Sequence, residues 1–154
     1  METLHTTIST GLAKYYEELQ GKIYHWADTL SEEQFWTKPY LYGNSFGHLV
    51  LHVTGNLNYY IGTQIAGTGY VRDRDREFTD AHPPTKAETL KRLDAAVAMV
   101  IQTIHAQTVA DWAKPYSALG DGGVGNRFNM LLRCASHLNH HIGQMIYLHH
   151  EFQR

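Results

Sequence analysis

An all-α antiparallel helix bundle is the fold this sequence predicts, on three observations. Four long segments repeat apolar residues at intervals of three and four, and hydroxyl or amide side chains stand where these segments would begin. No run alternates apolar with polar residues, and no stretch repeats another. At 154 residues, the chain is expected to be a single domain, residues 1–154. It can bury roughly 70% of its unfolded surface without disulfide or metal staples.

The first helix is expected from about Leu4 to Leu30, with Ile8, Leu12, Tyr15, Tyr16, Leu19, Ile23, Trp26 and Leu30 as its apolar stripe. Ser31-Glu32-Glu33-Gln34 then places a hydroxyl three residues before a glutamine, a capping box that opens a short turn ending before Pro39. Asn44 or Ser45 caps the second long helix, which runs from Phe46 to about Ala66 and stops at Gly67 and Gly69. Gly47, Gly55 and Gly62 inside it each cost about 1 kcal/mol against alanine, so close helix approach or a dimer seam is expected there. Tyr70 to Pro84 is charged and broken by Pro83-Pro84, which predicts a surface connection pinned by Tyr70 and Phe78. Thr85-Lys86-Ala87-Glu88 is a second capping box, opening a helix through Leu90, Leu93, Ala96, Val97, Val100, Ile101 and Ile104. Asp111 to Gly125, rich in glycine, is expected to be a loop. The last helix spans Asn126 or Arg127 to Glu151, with a stripe of Met130, Cys134, His137, His141, Met145 and Leu148.

Charge is nearly balanced, 13 basic against 15 acidic residues, and no basic block interleaves with aromatics, which disfavours nucleic-acid binding. The single cysteine, Cys134, excludes an internal disulfide framework and fits a reducing compartment; as a free thiol it is expected to serve as a small buried hydrophobe. Met1-Glu2-Thr3-Leu4-His5-Thr6 lacks a basic region followed by an apolar one, and nowhere do about 18 apolar residues run together, so a cytoplasmic protein without a membrane span is expected.

Eleven histidines are unusual for this length. His137 and His141 stand four apart, and on a helix four residues rise about 6 Å and turn about 40° past a full turn, so both rings point one way. A divalent metal held by imidazoles wants at least a third protein ligand, and His52 in the second long helix is the matching candidate. Several imidazoles desolvated on one seam cost about 1 to 3 kcal/mol for each unsatisfied nitrogen, a cost that one shared cation removes. His48 forms a further four-residue pair with His52 and can replace or supplement it. His140 has the wrong phase and is read as a rim residue. His149 and His150 suit a helix C-terminus as cations, and His5, His25, His82 and His105 have no partner at metal spacing. Asn56 and Gln144 each lie close along a helix from a candidate ligand and can orient a ring or a water. The charged run Arg72-Asp73-Arg74-Asp75-Arg76-Glu77-Phe78 is expected to be a solvated face rather than a gate over the site.

With these residues in place, the sequence resembles the DinB-like (YfiT-type) superfamily. The resemblance rests on Leu51-His52-Val53-Thr54-Gly55-Asn56, on Arg74 to Phe78, and above all on His137-Leu138-Asn139-His140-His141-Ile142-Gly143-Gln144. It implies a four-helix bundle with up-down-down-up connectivity, frequent homodimers, and a divalent metal ion, zinc, nickel or iron, held by His52, His137 and His141; His48 has no place in that pattern. Relatives of this kind include thiol-dependent S-transferases and a maleylpyruvate isomerase that uses a low-molecular-weight thiol. The resemblance therefore favours thiol-dependent transfer or isomerisation of a small-molecule substrate over hydrolysis. No catalytic acid or base is identifiable, and no His-Glu-x-x-His motif points to a metalloprotease. The alternative is a non-catalytic, stress-related protein that binds a metal or small molecule, which a fourth protein ligand such as His48 would mark. Haem needs two opposed axial ligands, and three converging rings do not supply them.

Overall fold

The computed structural model describes residues 3–154, and their architecture is all-α. Met1 and Glu2, which open the stretch read for a leader, lie outside the described residues. Four long helical segments form the body: α1 (Leu4–Ala27), α3 (Phe46–Leu57, prolonged by a π-helical stretch Asn58–Ala66), α5 (Lys86–Ala106) and α7 (Arg127–Glu151). Short helices α2 (Glu32–Trp36), α4 (Arg76–Thr79) and α6 (Val109–Trp112) lie in the connections.

The capping signals act where the sequence places them. Ser31 and Thr85 head full capping boxes with Gln34 and Glu88, while Ser45 and Asn126 accept from the backbone N–H groups of His48 and Asn129. Gly67 ends the second long segment in the left-handed conformation at φ 68°. α1 stops at Ala27 rather than Leu30; beyond its end the Lys86 ammonium donates to the carbonyls of Asp28 and Leu30, and Ser31 is already the extended cap of α2. Tyr15 and Tyr16, both assigned to the α1 stripe, separate: adjacent helical residues point about 100° apart, so Tyr16 is buried and donates to the Leu131 carbonyl while Tyr15 is exposed.

α4 sits inside the connection 70–84, and Thr108 with Asp111 forms a capping box that opens α6, which reaches only the first two residues of the stretch read as a loop, Asp111 to Gly125; from α6, Trp112 Nε1 donates to His5 Nδ1 at 2.9 Å. The π-helical stretch was read as ordinary helix, since Gly62 inside it weakens a helix without dictating its winding; Tyr59 and Tyr60, neighbours in this stretch, both line one cavity.

α1 packs on α5, α5 on α3, α3 on α7, and α7 on α1 around a core that includes Leu19, Ile23, Val50, Leu57, Leu93, Val100, Leu131 and Leu138. Thr29 and His149 share a 2.8 Å hydrogen bond, which places the C-terminal ends of α1 and α7 together. Lys86 on Asp28 and Leu30 places the start of α5 at that same end. His149 is half-buried against Trp26, and burial, with His150 and His25 nearby, lowers its pKa; it therefore bridges Thr29 as a neutral ring rather than serving the helix dipole as a cation. Among the described residues, no helix is long and apolar enough to cross a membrane.

The glycines of α3 and its extension are filled from within the chain. A Cβ on Gly47 would strike the Trp36 ring at 2.6 Å, and one on Gly62 would press Met99 and Thr68. At Gly55 the space is taken by the Glu77 carboxylate, so the short helix α4 in the connection, not a long helix, demands that glycine.

Candidate metal centre

His137 and His141 project from successive turns of α7, and the crossing of α3 brings His52 to them. Nε2 of His137 lies 3.2 Å from Nε2 of His52 and 3.0 Å from Nε2 of His141. One nitrogen from each ring falls within 4.8 Å of the others. Nitrogens held about 2.0–2.1 Å from a tetrahedral ion lie about 3.3 Å apart, so the spacing fits a shared divalent cation. The three histidines form a cluster capable of coordinating one.

The hydrogen bonds behind the rings fix which nitrogen is free. His52 Nδ1 donates to Glu77 Oε2 at 2.8 Å, and His141 Nδ1 donates to Gln144 Oε1 at 2.7 Å. Arg72 Nη2 also comes within 3.3 Å of His52 Nδ1; the shorter bond to an acceptor-only carboxylate decides that Nδ1 carries the proton. Both Nε2 atoms are then bare lone pairs aimed at His137. A single N–H on His137 can satisfy only one of them, whereas a cation satisfies all three. The His137 pKa is lowered to about 3, first by burial and then by His141 and His52, and that of His141 is lowered by burial as well. Neutral rings, the form that ligates metal, follow at neutral pH.

The charged run expected to be a solvated face is not one throughout. Arg72 Nε and Nη2 donate to Glu77 Oε1 and Oε2 at 2.7 and 3.0 Å, and this bidentate pair lies under α3 with side-chain exposures of 9% and 7%. Asp73, Arg74 and Arg76 keep to the surface. Sequence reading missed Arg72 and Glu77, although a signal stood beside them: Phe78, expected to pin the connection, packs its ring 5.0 Å from that of His52 and carries Glu77 in with it. Gly55 completes the arrangement. Gly55→Ala is expected to push the carboxylate off His52, lowering stability by about 1–3 kcal/mol and metal affinity by about tenfold or more, as read by urea denaturation and metal titration.

The remaining candidates separate cleanly. His48 Nδ1 pairs with Ser45 Oγ at 2.8 Å and its ring packs on Trp36, outside the cluster. His140 is exposed at the rim, its ring 5.2 Å from that of His141. Gln144 orients a ring as anticipated; Asn56 touches none, and its buried Oδ1 has no partner among the described residues. Cys134 is buried and its thiol is pushed up to about 12, so it stays protonated. A cavity of about 710 Å3 opens beside His52 and His137, walled by Tyr59, Tyr60 and Tyr70 with Met130 and Cys134 at its base.

A comparison with protein families matches residues 15–145 to the DinB superfamily, a span that holds the three histidines, Arg72, Glu77 and Gln144. No curated protein matches the chain.

Proposed function

Because this chain belongs to the DinB superfamily, we propose that His52, His137 and His141 hold a zinc, nickel or iron ion as the centre of a small-molecule enzyme, with thiol-dependent S-transfer or isomerisation as its chemistry. The single observation that carries this reading is a three-nitrogen cluster with a cavity against it. Three protein donors would leave an ion's coordination incomplete, as catalytic sites do, and the cavity adjoins two of them, His52 and His137. A fourth donor would favour a purely structural ion, and the candidate for it, His48, is turned to Ser45.

The same reading takes residues 1–154 as one up-down-down-up four-helix domain. Its supports are the shared end of α1 and α7, the start of α5 at that end, and the long connection 67–85, enough chain to return along the bundle.

A divalent ion in this centre supplies Lewis acidity that favours the thiolate form of an incoming thiol. The chain's own residues orient and enclose. Glu77 holds the His52 ring from behind, and Tyr59, Tyr60 and Tyr70 line the cavity. Cys134, buried and protonated, is held back from acting as the nucleophile, which fits a thiol brought by the substrate. No Asp or Glu lines the cavity among the described residues, and Glu77 is engaged on the far side of His52. Hydrolysis assisted by a carboxylate base would thus lack that base beside the centre.

Elemental analysis of protein purified without metal-affinity resin is expected to find about one divalent ion per chain. The metallated protein should then consume glutathione, bacillithiol or mycothiol in the presence of an electrophile, and a chelator should stop it. No metal-dependent turnover with any of the three thiols would leave a metal- or small-molecule-binding protein as the better reading.

A further inference from the structure

The charge of the cavity beside the histidines is one-sided. Its lining includes Arg72, Arg74 and Arg133 and, among the described residues, no acid. Arg72 is neutralised by Glu77. Arg74 and Arg133 form no ion pair among the described residues. Arg74 holds its guanidinium 5.9 Å over the Phe78 ring. Arg133 stands one turn before His137 on α7, and its guanidinium packs against Gly122, at φ 66°, where a Cβ would collide with it. Two exposed guanidiniums outside any ion pair, with Asp121 the nearby acid that feels Arg133 but is not part of the lining, give a concave, aromatic-walled site a positive bias. This runs against the whole chain, whose formal net charge is −2. A neighbouring cavity of about 640 Å3, on the other side of the connecting loop, mixes Asp73, Asp80 and Glu88 with Arg76 and Arg92 and has no such bias.

The wall also carries a polar side chain: Asn56, 8% exposed and one turn after His52, lines the same cavity, and its enclosed Oδ1 has no partner among the described residues.

We propose that the cavity takes a small organic anion. Its carboxylate or phosphate oxygens accept from Arg133 and Arg74, and its carbon skeleton lies against Tyr59, Tyr60 and Tyr70. The volume suits a molecule of metabolite or drug size. This assignment rests on the cavity being the substrate site of the centre proposed above, and its test reads arginine and metal separately.

Calorimetric titration of the metal-loaded protein with 3-phenylpropanoate, phenyl phosphate and the uncharged 3-phenylpropanamide tests it. One of the two anions should bind at least about tenfold tighter than the amide and weaken in about 0.5 M salt; which one identifies the oxyanion. Arg133→Gln and Arg74→Gln should each weaken that anion roughly tenfold or more while metal content and helicity remain those of the parent. Equal binding of anion and amide overturns the inference, as does anion affinity unchanged in the Arg74→Gln, Arg133→Gln double variant. In chelator-treated protein, a persisting preference for the anion supports pairing with arginine, and its disappearance assigns the anion to the metal and overturns it. A parent that contains no ion yet prefers the anion would instead sink the metal centre alone.

Discussion

Replacing His137 with alanine is expected to remove the metal ion while leaving the helices intact. Its Nε2 is the atom that touches both other donors, at 3.2 and 3.0 Å. Without it, His52 and His141 remain as two donors on different helices, short of the three that a centre of this kind uses. The loss should exceed the roughly 10–100-fold that follows from disturbing a group behind a ligand, so metal content should fall from about one ion per chain to near none at micromolar metal. The fold should tolerate the change. The ring is only half-buried, alanine is the best helix former, and the Asn126 cap and the buried stripe of Met130, Leu131, Leu138 and Ile142 are untouched. His141→Ala should behave alike, and His140→Ala, at the exposed rim, should keep the ion. Elemental analysis beside far-ultraviolet circular dichroism checks all three; a His137→Ala protein that binds metal as tightly as the parent removes the ligand assignment.

Glu77→Ala should produce the largest loss of stability. The Arg72–Glu77 pair is buried to side-chain exposures of 9% and 7%, and removing one member of such a pair strands the other charge away from water, at about 3–5 kcal/mol. The same substitution takes the acceptor from His52 Nδ1, so the ring loses its tautomer and orientation, and metal affinity should fall roughly 10–100-fold. The two effects can be separated. Adding Arg72→Met to Glu77→Ala removes the stranded guanidinium and should recover part of the stability without recovering metal affinity. Urea denaturation and metal titration of parent, single and double variants measure both. If Glu77→Ala costs less than about 1 kcal/mol, in the range of an exposed pair, the carboxylate does not hold the site as described.

How much of this was legible beforehand depended on the range over which each signal acts. The starts of α2, α3, α5 and α7 follow from side chains that bond their own backbone three residues on, as Ser31, Ser45, Thr85 and Asn126 do. The pairing of His137 with His141 follows from helical rise and turn alone. Resemblance and spacing together singled out His52, and the crossing of α3 over α7 does bring its ring to the other two. The charged run was misread because a loop has no period that tells a buried charge from a solvated one. Arg72 and Glu77 stay buried only because each meets the other and His52. The π-helical stretch escaped for a related reason: residues 58–66 read as ordinary helix, and their wider winding is visible only in the folded chain.

From the sequence alone, then, came the all-α class, the helix starts and the histidine-bearing faces, because each depends on interactions within a turn or two of the backbone. The tertiary structure alone decided that Glu77 backs His52, that Gly55 makes room for it, and that two unpaired arginines face the cavity. Those relations join residues from separate helices and connections, and their distances are set by how the elements pack, which no local pattern encodes.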